Sequence, residues 1–229
     1  MIYPQTASLL ESFSKEPIFA KYKAILIGGT AMAYHTQHRV SFDLDICFPF
    51  DLVLPKLSFL DDYKSVIPLE FDNHTRDNAI NDGGDIDTCI KRYIVDDIKV
   101  DFFINPSSNI YENQILKEDK SIIYHNLRIA SLDTIFELKI LLLLDRNKIR
   151  DMYDIVYLLE NNGYTIRDFL DTIFKYRITY RVEDIIRLIR AKTKDPLDTD
   201  GVEEPQMNLS GYTELRDYIL DKLLSNCNI

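Results

Sequence analysis

The chain has 229 residues, 46% of them hydrophobic and 28% charged, the composition of a soluble globular protein with one large or two smaller domains. Its net charge of −10 excludes a surface generally coated for nucleic acid, though not a local basic patch. No apolar run approaches a membrane span or a secretory leader. The three scattered cysteines (Cys47, Cys89, Cys227) argue against a disulfide framework and for a reducing, cytoplasmic setting.

Leu9, Leu10 and Phe13 give the segment from about Thr6 to Lys15 one apolar side, which predicts a helix that Pro17 ends. Ala24-Ile25-Leu26-Ile27 reads as a buried strand. Gly28-Gly29 then permits a sharp turn with bare amides close to a ligand, and Thr30 is placed to cap a helix over roughly Ala31 to Gln37. Amides at a helix N-terminus suit phosphate. The next strand carries Asp43 and Asp45, which alternation puts on one face, with Phe42, Leu44 and Ile46 on the other. Two such carboxylates repel unless one is protonated or a cation sits between them. Mg²⁺ (or Mn²⁺) favours a few carboxylates completed by substrate phosphate oxygens. Glycine turn and paired acids together read as a seat for a nucleotide's phosphates and a divalent metal. His35 and His38 are expected in surface or motif roles rather than as ligands. Arg39 either orients carboxylates or phosphate, or balances a helix dipole.

Pro49, Pro55 and Pro68 interrupt the next stretch, which holds a short helix near Leu57–Asp62 and a strand near Val66–Phe71. Asp72 to Asp87, with Gly83-Gly84, reads as a polar loop without the order of a calcium loop. Thr88–Val95 and Ile98–Ile104 form a hairpin around Asp96-Asp97. Asp101 interrupts the apolar run of the second strand, and a buried strand aspartate is costly unless paired or metal-bound. Beside the Asp43 strand it makes a third carboxylate, able to help activate an attacking hydroxyl in metal-assisted phosphoryl chemistry. A turn at Pro106–Asn109 and a small hairpin over Ser121–Ile129 follow.

After about residue 130 the period becomes helical. A helix capped by Ser131 or Asp133 runs to about Asp145, with Lys139 either snorkelling outward or reaching an anion. Arg146, Lys148 and Arg150 form a basic elbow before a helix that Asn161-Asn162-Gly163 ends. Arg150 and Asp154 are spaced to pair, either as a helix-stabilising ion pair or as an arginine held for a triphosphate by Asp151 or Asp154. Thr165 and Asp168 resemble a capping box opening a helix to about Tyr176. Further helices span about Val182–Ala191 and Tyr212–Ser225, around a loop from Asp195 to Gln206. From Lys139 to Lys194, twelve Lys/Arg face eight Asp/Glu; from Asp195 onward two face eight. The basic excess suits a triphosphate or an RNA end, and the acidic tail a solvated face or a basic partner.

Gly28-Gly29-Thr30 followed by His38-Arg39-Val40-Ser41-Phe42-Asp43-Leu44-Asp45 resembles the first motif of the nucleotidyltransferase superfamily, and is closest to its AbiEii/AbiGii toxin branch. Asp101 matches the superfamily's third acidic position. Lys139 with Arg146-Asn147-Lys148-Ile149-Arg150-Asp151-Met152-Tyr153-Asp154 resembles the branch's later motif. The resemblance spans about Ile25 to Leu159. It implies an α/β (α+β) nucleotidyltransferase core with a mixed sheet over residues 1–130 and an all-α helical bundle over 131–229. It implies transfer of a nucleoside monophosphate from NTP to an acceptor hydroxyl, in RNA or tRNA, and an antitoxin partner. Asp43, Asp45 and Asp101 are then catalytic and metal-binding. Gly28, Gly29, Thr30, Arg39, Ser41, Lys139, Arg146, Arg150, Asp151 and Asp154 bind nucleotide. A small-molecule nucleotidyltransferase and a non-catalytic nucleotide-binding regulator remain the alternatives.

Overall fold

A computed structural model of the chain describes residues 1–71, 86–104, 110–196, 198 and 201–226. Most of the polar loop expected over Asp72–Asp87, the turn at Pro106–Asn109, part of the loop between Asp195 and Gln206, and Cys227 lie outside the described residues. The fold divides into two units: Met1–His35 with Ser41–Ser131, and Thr36–Val40 with Leu132–Ile229.

The first unit is built on a seven-stranded sheet. Its strands are β1 (Ile25–Ile27), β2 (Leu44–Phe48), β3 (Val66–Leu69), β4 (Ile90–Val95), β5 (Ile98–Ile104), β6 (Ile122–Tyr124) and β7 (Leu127–Ile129), in the order β3-β4-β5-β2-β1-β7-β6. β2 runs parallel to β5 and β1 parallel to β7, while the other neighbours are antiparallel, so the sheet is mixed. The β4–β5 hairpin closes on Asp96 and Asp97, both at positive φ (45° and 68°). That geometry matches a two-residue loop to the right-handed twist of its strands.

Helix α1 (Pro4–Ser14) packs Phe13 against one sheet face, where it meets Phe19, Phe59, Tyr63 and Phe102 at ring-centroid distances of 5.1–6.2 Å. Full burial of such a ring contributes about 2–3 kcal/mol. Pro17 does more than end α1: it opens α2 (Pro17–Lys21), because a proline at the first helical position gives up only an amide that has no helical partner.

Helix α3 (Gly28–Thr36) corrects the expectation that Thr30 caps a helix beginning at Ala31. The helix starts at Gly28, directly after β1, and Thr30 is buried inside it with its hydroxyl bonded elsewhere. A 3₁₀ turn over Ser58–Asp62 and two short helices, α4 (Ile86–Cys89) and α5 (Ile110–Lys117), complete the unit.

The second unit is an all-α bundle of α6 (Leu132–Asp145), α7 (Ile149–Asn161), α8 (Ile166–Tyr176), α9 (Val182–Ala191) and α10 (Tyr212–Asn226). α6 packs on α7 and α8, and α10 packs on α7, α8 and α9. The box that opens α8 is complete: Thr165 accepts from the Asp168 amide and the Asp168 carboxylate accepts from the Thr165 amide. The N-terminus of α7 is capped from a distance, by Asp198 accepting from the Ile149 amide at 3.0 Å. Residues Thr36–Val40 belong to this unit. The Val40 amide donates to the Glu203 carbonyl at 3.0 Å, and the buried Tyr153 hydroxyl donates to the His38 carbonyl at 3.1 Å. Among the described residues no helix is long and apolar enough to cross a membrane.

Candidate active site

Strand register places the acids of the first unit. Asp45 on β2 is the direct partner of Asp101 on β5, and Ile27 on β1 is the partner of Asp45 on the other side. Register partners on adjacent strands share a face about 5 Å apart. The flanking pairs Leu44 with Val100 and Ile46 with Phe102 are buried on the face that α1 covers, which leaves Asp45 and Asp101 together on the opposite one. Asp43 lies one residue before β2, in an irregular segment rather than in the strand itself.

Gly28 fits closely against this pair. Its φ is +74°, and a Cβ built on it would lie 2.2 Å from Asp45 Oδ2. No side chain fits between the glycine turn and that carboxylate. Gly28→Ala is therefore expected to lose about 1–2 kcal/mol from left-handed backbone alone and to push Asp45 aside. Thermal unfolding reads the first effect and calorimetric Mg²⁺ titration the second. Unchanged values in both would contradict this placement.

Three hydroxyls fix the backbone that carries Asp43. Thr30 Oγ1 donates to the Asp43 carbonyl, and the Thr30 and Ser41 hydroxyls lie 2.9 Å apart. A hydroxyl has one hydrogen, so Ser41 is the donor of that second bond. Thr6, fully buried on α1, donates to the Phe42 carbonyl at 2.7 Å. Met1 and Tyr3 add backbone bonds to both sides of Ser41. Thr30 and Ser41, expected as phosphate contacts, thus spend their hydroxyls on positioning, and Thr6 joins them without any local pattern to announce it.

Asp101 is asymmetrically surrounded. Its Oδ2 faces Arg92 Nε at 3.4 Å and Lys99 Nζ at 3.3 Å, whereas Oδ1 is buried and has no hydrogen-bond partner among the described residues. Neither cation was singled out from the sequence, but the signal was present. Once Asp96-Asp97 is the loop, hairpin register sets Arg92 opposite Asp101, and alternation sets Lys99 beside it.

The remaining expected residues form a buried charge network within the second unit. Asp154 Oδ1 accepts from Arg39 Nε and from His38 Nε2, each at 2.8 Å, and Oδ2 accepts from Arg39 Nη2 at 3.1 Å. Lys139 Nζ lies 2.8 Å from both Asp151 Oδ1 and Asp154 Oδ2. Arg146 closes the network with Nε to Asp151 Oδ2 at 2.6 Å, its side chain 44% exposed. Arg150, on the first turn of α7, is half-buried. Burial pushes the Asp154 carboxyl upward, but Arg39 and Lys139 outweigh it and hold it well below the usual carboxylate range; Asp151 is lowered in the same way by Lys139 and Arg146. For Lys139, burial opposes its charge and the two aspartates more than restore it.

His38 behaves differently. Burial lowers its pKa against the pull of Asp154, so the ring is neutral, with Nε2–H donated to Asp154 and Nδ1 accepting from Thr36 Oγ1 at 3.0 Å. A histidine depressed in the fold takes up protons more readily once unfolded. Stability is therefore expected to fall as pH drops below about 6.5, with a further fall in the carboxylate range as Asp151 and Asp154 lose their advantage. Denaturant melts from pH 8 to pH 4 check this, and His38→Gln should remove the upper part of the decline. His35, by contrast, bonds through Nε2 to the Ala130 carbonyl at 2.8 Å. Cys47 and Cys89 are free thiols, and burial pushes that of Cys47 up.

A glycine turn opening a helix after a strand, then an acidic strand paired in parallel with a second acid-bearing strand in a mixed sheet, defines a nucleotidyltransferase core. The family model described as "Nucleotidyl transferase AbiEii toxin, Type IV TA system" matches residues 8–222, and the chain belongs to that family of nucleotidyltransferases. Among solved structures, JHP933 from Helicobacter pylori is similar over 100% of this chain and 97% of its own, with 16% identity and a TM-score of 0.51, a likeness of fold. A second H. pylori structure, provisionally assigned as a nucleotidyltransferase, aligns over 98% of each chain with 17% identity and a TM-score of 0.45, too low to carry an argument. None of the curated proteins matches the sequence significantly.

Proposed function

We propose that the protein transfers a nucleoside monophosphate from an NTP to an acceptor hydroxyl of RNA, such as a tRNA 3′ end, and that it is the growth-inhibiting member of a toxin–antitoxin pair with a cognate antitoxin as its protein partner. The observation that carries the chemistry is the row formed by the Gly28 turn, Asp45 and Asp101 across three neighbouring strands. Among the described residues no group of three or more His, Cys, Asp or Glu side chains is placed to hold a metal ion. Mg²⁺ ordinarily takes only one or two carboxylates and completes its shell with water and substrate phosphate. The buried, unpartnered Oδ1 of Asp101 beside Asp45 fits such a cation, and Asp43 is a third acid to it only by the resemblance of the sequence motif. When bound, Mg²⁺ or Mn²⁺ would neutralise charge on the phosphoryl oxygens and on the leaving pyrophosphate.

The chain's own residues do the rest. Amides of the Gly28-Gly29 turn hold phosphate at the start of α3. Asp101 accepts the proton of the acceptor hydroxyl as its oxygen bonds to the α-phosphorus. The bond from that phosphorus to the β-phosphate oxygen breaks, and pyrophosphate leaves with the electron pair. Thr6, Thr30 and Ser41 keep the backbone around Asp43 in place. Arg39, Lys139, Asp151 and Asp154 hold residues 36–40 in the helical unit. Arg146 and Arg150 keep solvent access on the helical unit.

The test is transfer of label from each NTP, radiolabelled at the α-phosphorus, into total cellular RNA with Mg²⁺, beside an Asp43→Ala control. A discrete labelled RNA band, lost in the control, supports the proposal. Label on a small molecule instead would remove RNA as the acceptor. NTP binding with no transfer to anything would point to a regulator.

A further inference from the structure

The two sides of the carboxylate pair are chemically different. Across four adjacent strands the register row reads Ile27, Asp45, Asp101, Arg92, on β1, β2, β5 and β4. On the β1 side, Asp45 meets the Gly28 turn, where a nucleotide's phosphates find amides. On the β4 side, Asp101 meets two cations, Arg92 and Lys99, both converging on its Oδ2. An in-line displacement needs its leaving group and its entering hydroxyl on opposite sides of the phosphorus. With the triphosphate at the glycine turn, the acceptor enters from the side of Arg92 and Lys99.

We infer that Arg92 and Lys99 form the acceptor subsite, gripping the phosphodiester next to the hydroxyl that reacts. The inference rests on the transferase reading and gives it residues for its second substrate. The two side chains are 41% and 39% exposed, so a ligand reaches them, and the Arg92 guanidinium stacks 4.5 Å over the Phe71 ring, which orients it before anything binds. The grip on Asp101 is incomplete. Arg92 Nε is buried and makes no hydrogen bond among the described residues, and Asp101 Oδ1 is in the same state. Buried polar groups are rarely left so, and a phosphate oxygen beside Arg92 together with a cation at Oδ1 would satisfy both. In a chain of net charge −10, cations at this point are what let a polyanion approach an acidic centre.

The test is binding of 5′-fluorescein-labelled total tRNA to Arg92→Gln/Lys99→Gln, by anisotropy in EDTA without NTP, over a salt series. Lys91→Gln, on the same strand but exposed on the other face, is the charge control. Loss of the one phosphate that the pair neutralises makes the log–log salt dependence shallower by about 0.7, the value for a single strand. In the transfer assay the double variant raises KM for RNA about tenfold or more and leaves KM for NTP within about twofold. Thermal melting close to wild type shows that the fold is intact. A salt slope equal to wild type overturns the inference. So does a KM increase confined to NTP, which assigns the pair to the triphosphate, or an equal effect from Lys91→Gln. Because RNA binding is read without turnover, a wild-type protein that binds tRNA through this pair but transfers nothing would overturn the transferase reading and leave Arg92 and Lys99 as an RNA-binding pair.

Discussion

Asp101→Asn is expected to lower nucleotide transfer by about 10²- to 10⁴-fold, the usual worth of a positioned general base, while the protein stays folded. The amide fills the same space between β4 and β2, and it removes a buried charge rather than creating one. The two cations it leaves, Arg92 and Lys99, are two-fifths exposed and screened by water. Single-turnover transfer from labelled NTP reads the rate, and a thermal melt checks the fold. Asp45→Asn should match the loss, and both substitutions should shift the Mg²⁺ requirement upward, because each removes a carboxylate beside the cation. Activity within threefold of wild type for Asp101→Asn would remove this residue from the reaction.

Asp154→Ala should act on stability instead. It leaves Arg39 and Lys139 buried without the carboxylate they share, and removing one partner of a buried ion pair costs about 3–5 kcal/mol. In a chain of this size that is a fall in melting temperature on the order of 10 °C. Asp145→Ala, which breaks a pair exposed at the end of α6, should change stability by less than about 1 kcal/mol. An Asp154→Ala protein that melts like wild type but no longer binds nucleotide would place Asp154 in the nucleotide site rather than in the clamp on residues 36–40.

The parts of this fold that show in the sequence are those set by neighbours in the chain. Alternation in Ile98–Ile104, the Asp96-Asp97 loop and the Thr165/Asp168 box each declare their structure within a few residues. Asp45 shows through alternation along its strand, and Asp101 because it interrupts an apolar one, an expensive placement without a purpose. Thr30 misled because a threonine after glycines looks like a cap, and nothing local shows that its hydroxyl goes to the Asp43 carbonyl, thirteen residues on. The bond from Arg39 to Asp154 spans 115 residues and leaves no periodic trace in either segment. Arg150, four residues before Asp154 on the same helix, was the nearer and more obvious partner to name. Long-range electrostatics is the part of the site that local patterns do not encode.

Because five residues from the middle of the sheet unit's sequence belong to the helical unit, neither unit is a contiguous stretch of polypeptide. Recombination that joined the gene at the codon for residue 131 to a foreign helical half would carry Lys139, Asp151 and Asp154 away from His38 and Arg39. Asp151 would keep Lys139 and Arg146, but Asp154 would lose Arg39 and His38, and the half left behind would hold Arg39 without that carboxylate. Descendants of this chain are therefore expected to diverge as whole genes, with insertions collecting in loops, rather than by exchange of halves. A library of chimeras crossed at residue 131, scored for soluble expression, would show that barrier as a deficit against chimeras that move residues 36–40 together with the helices.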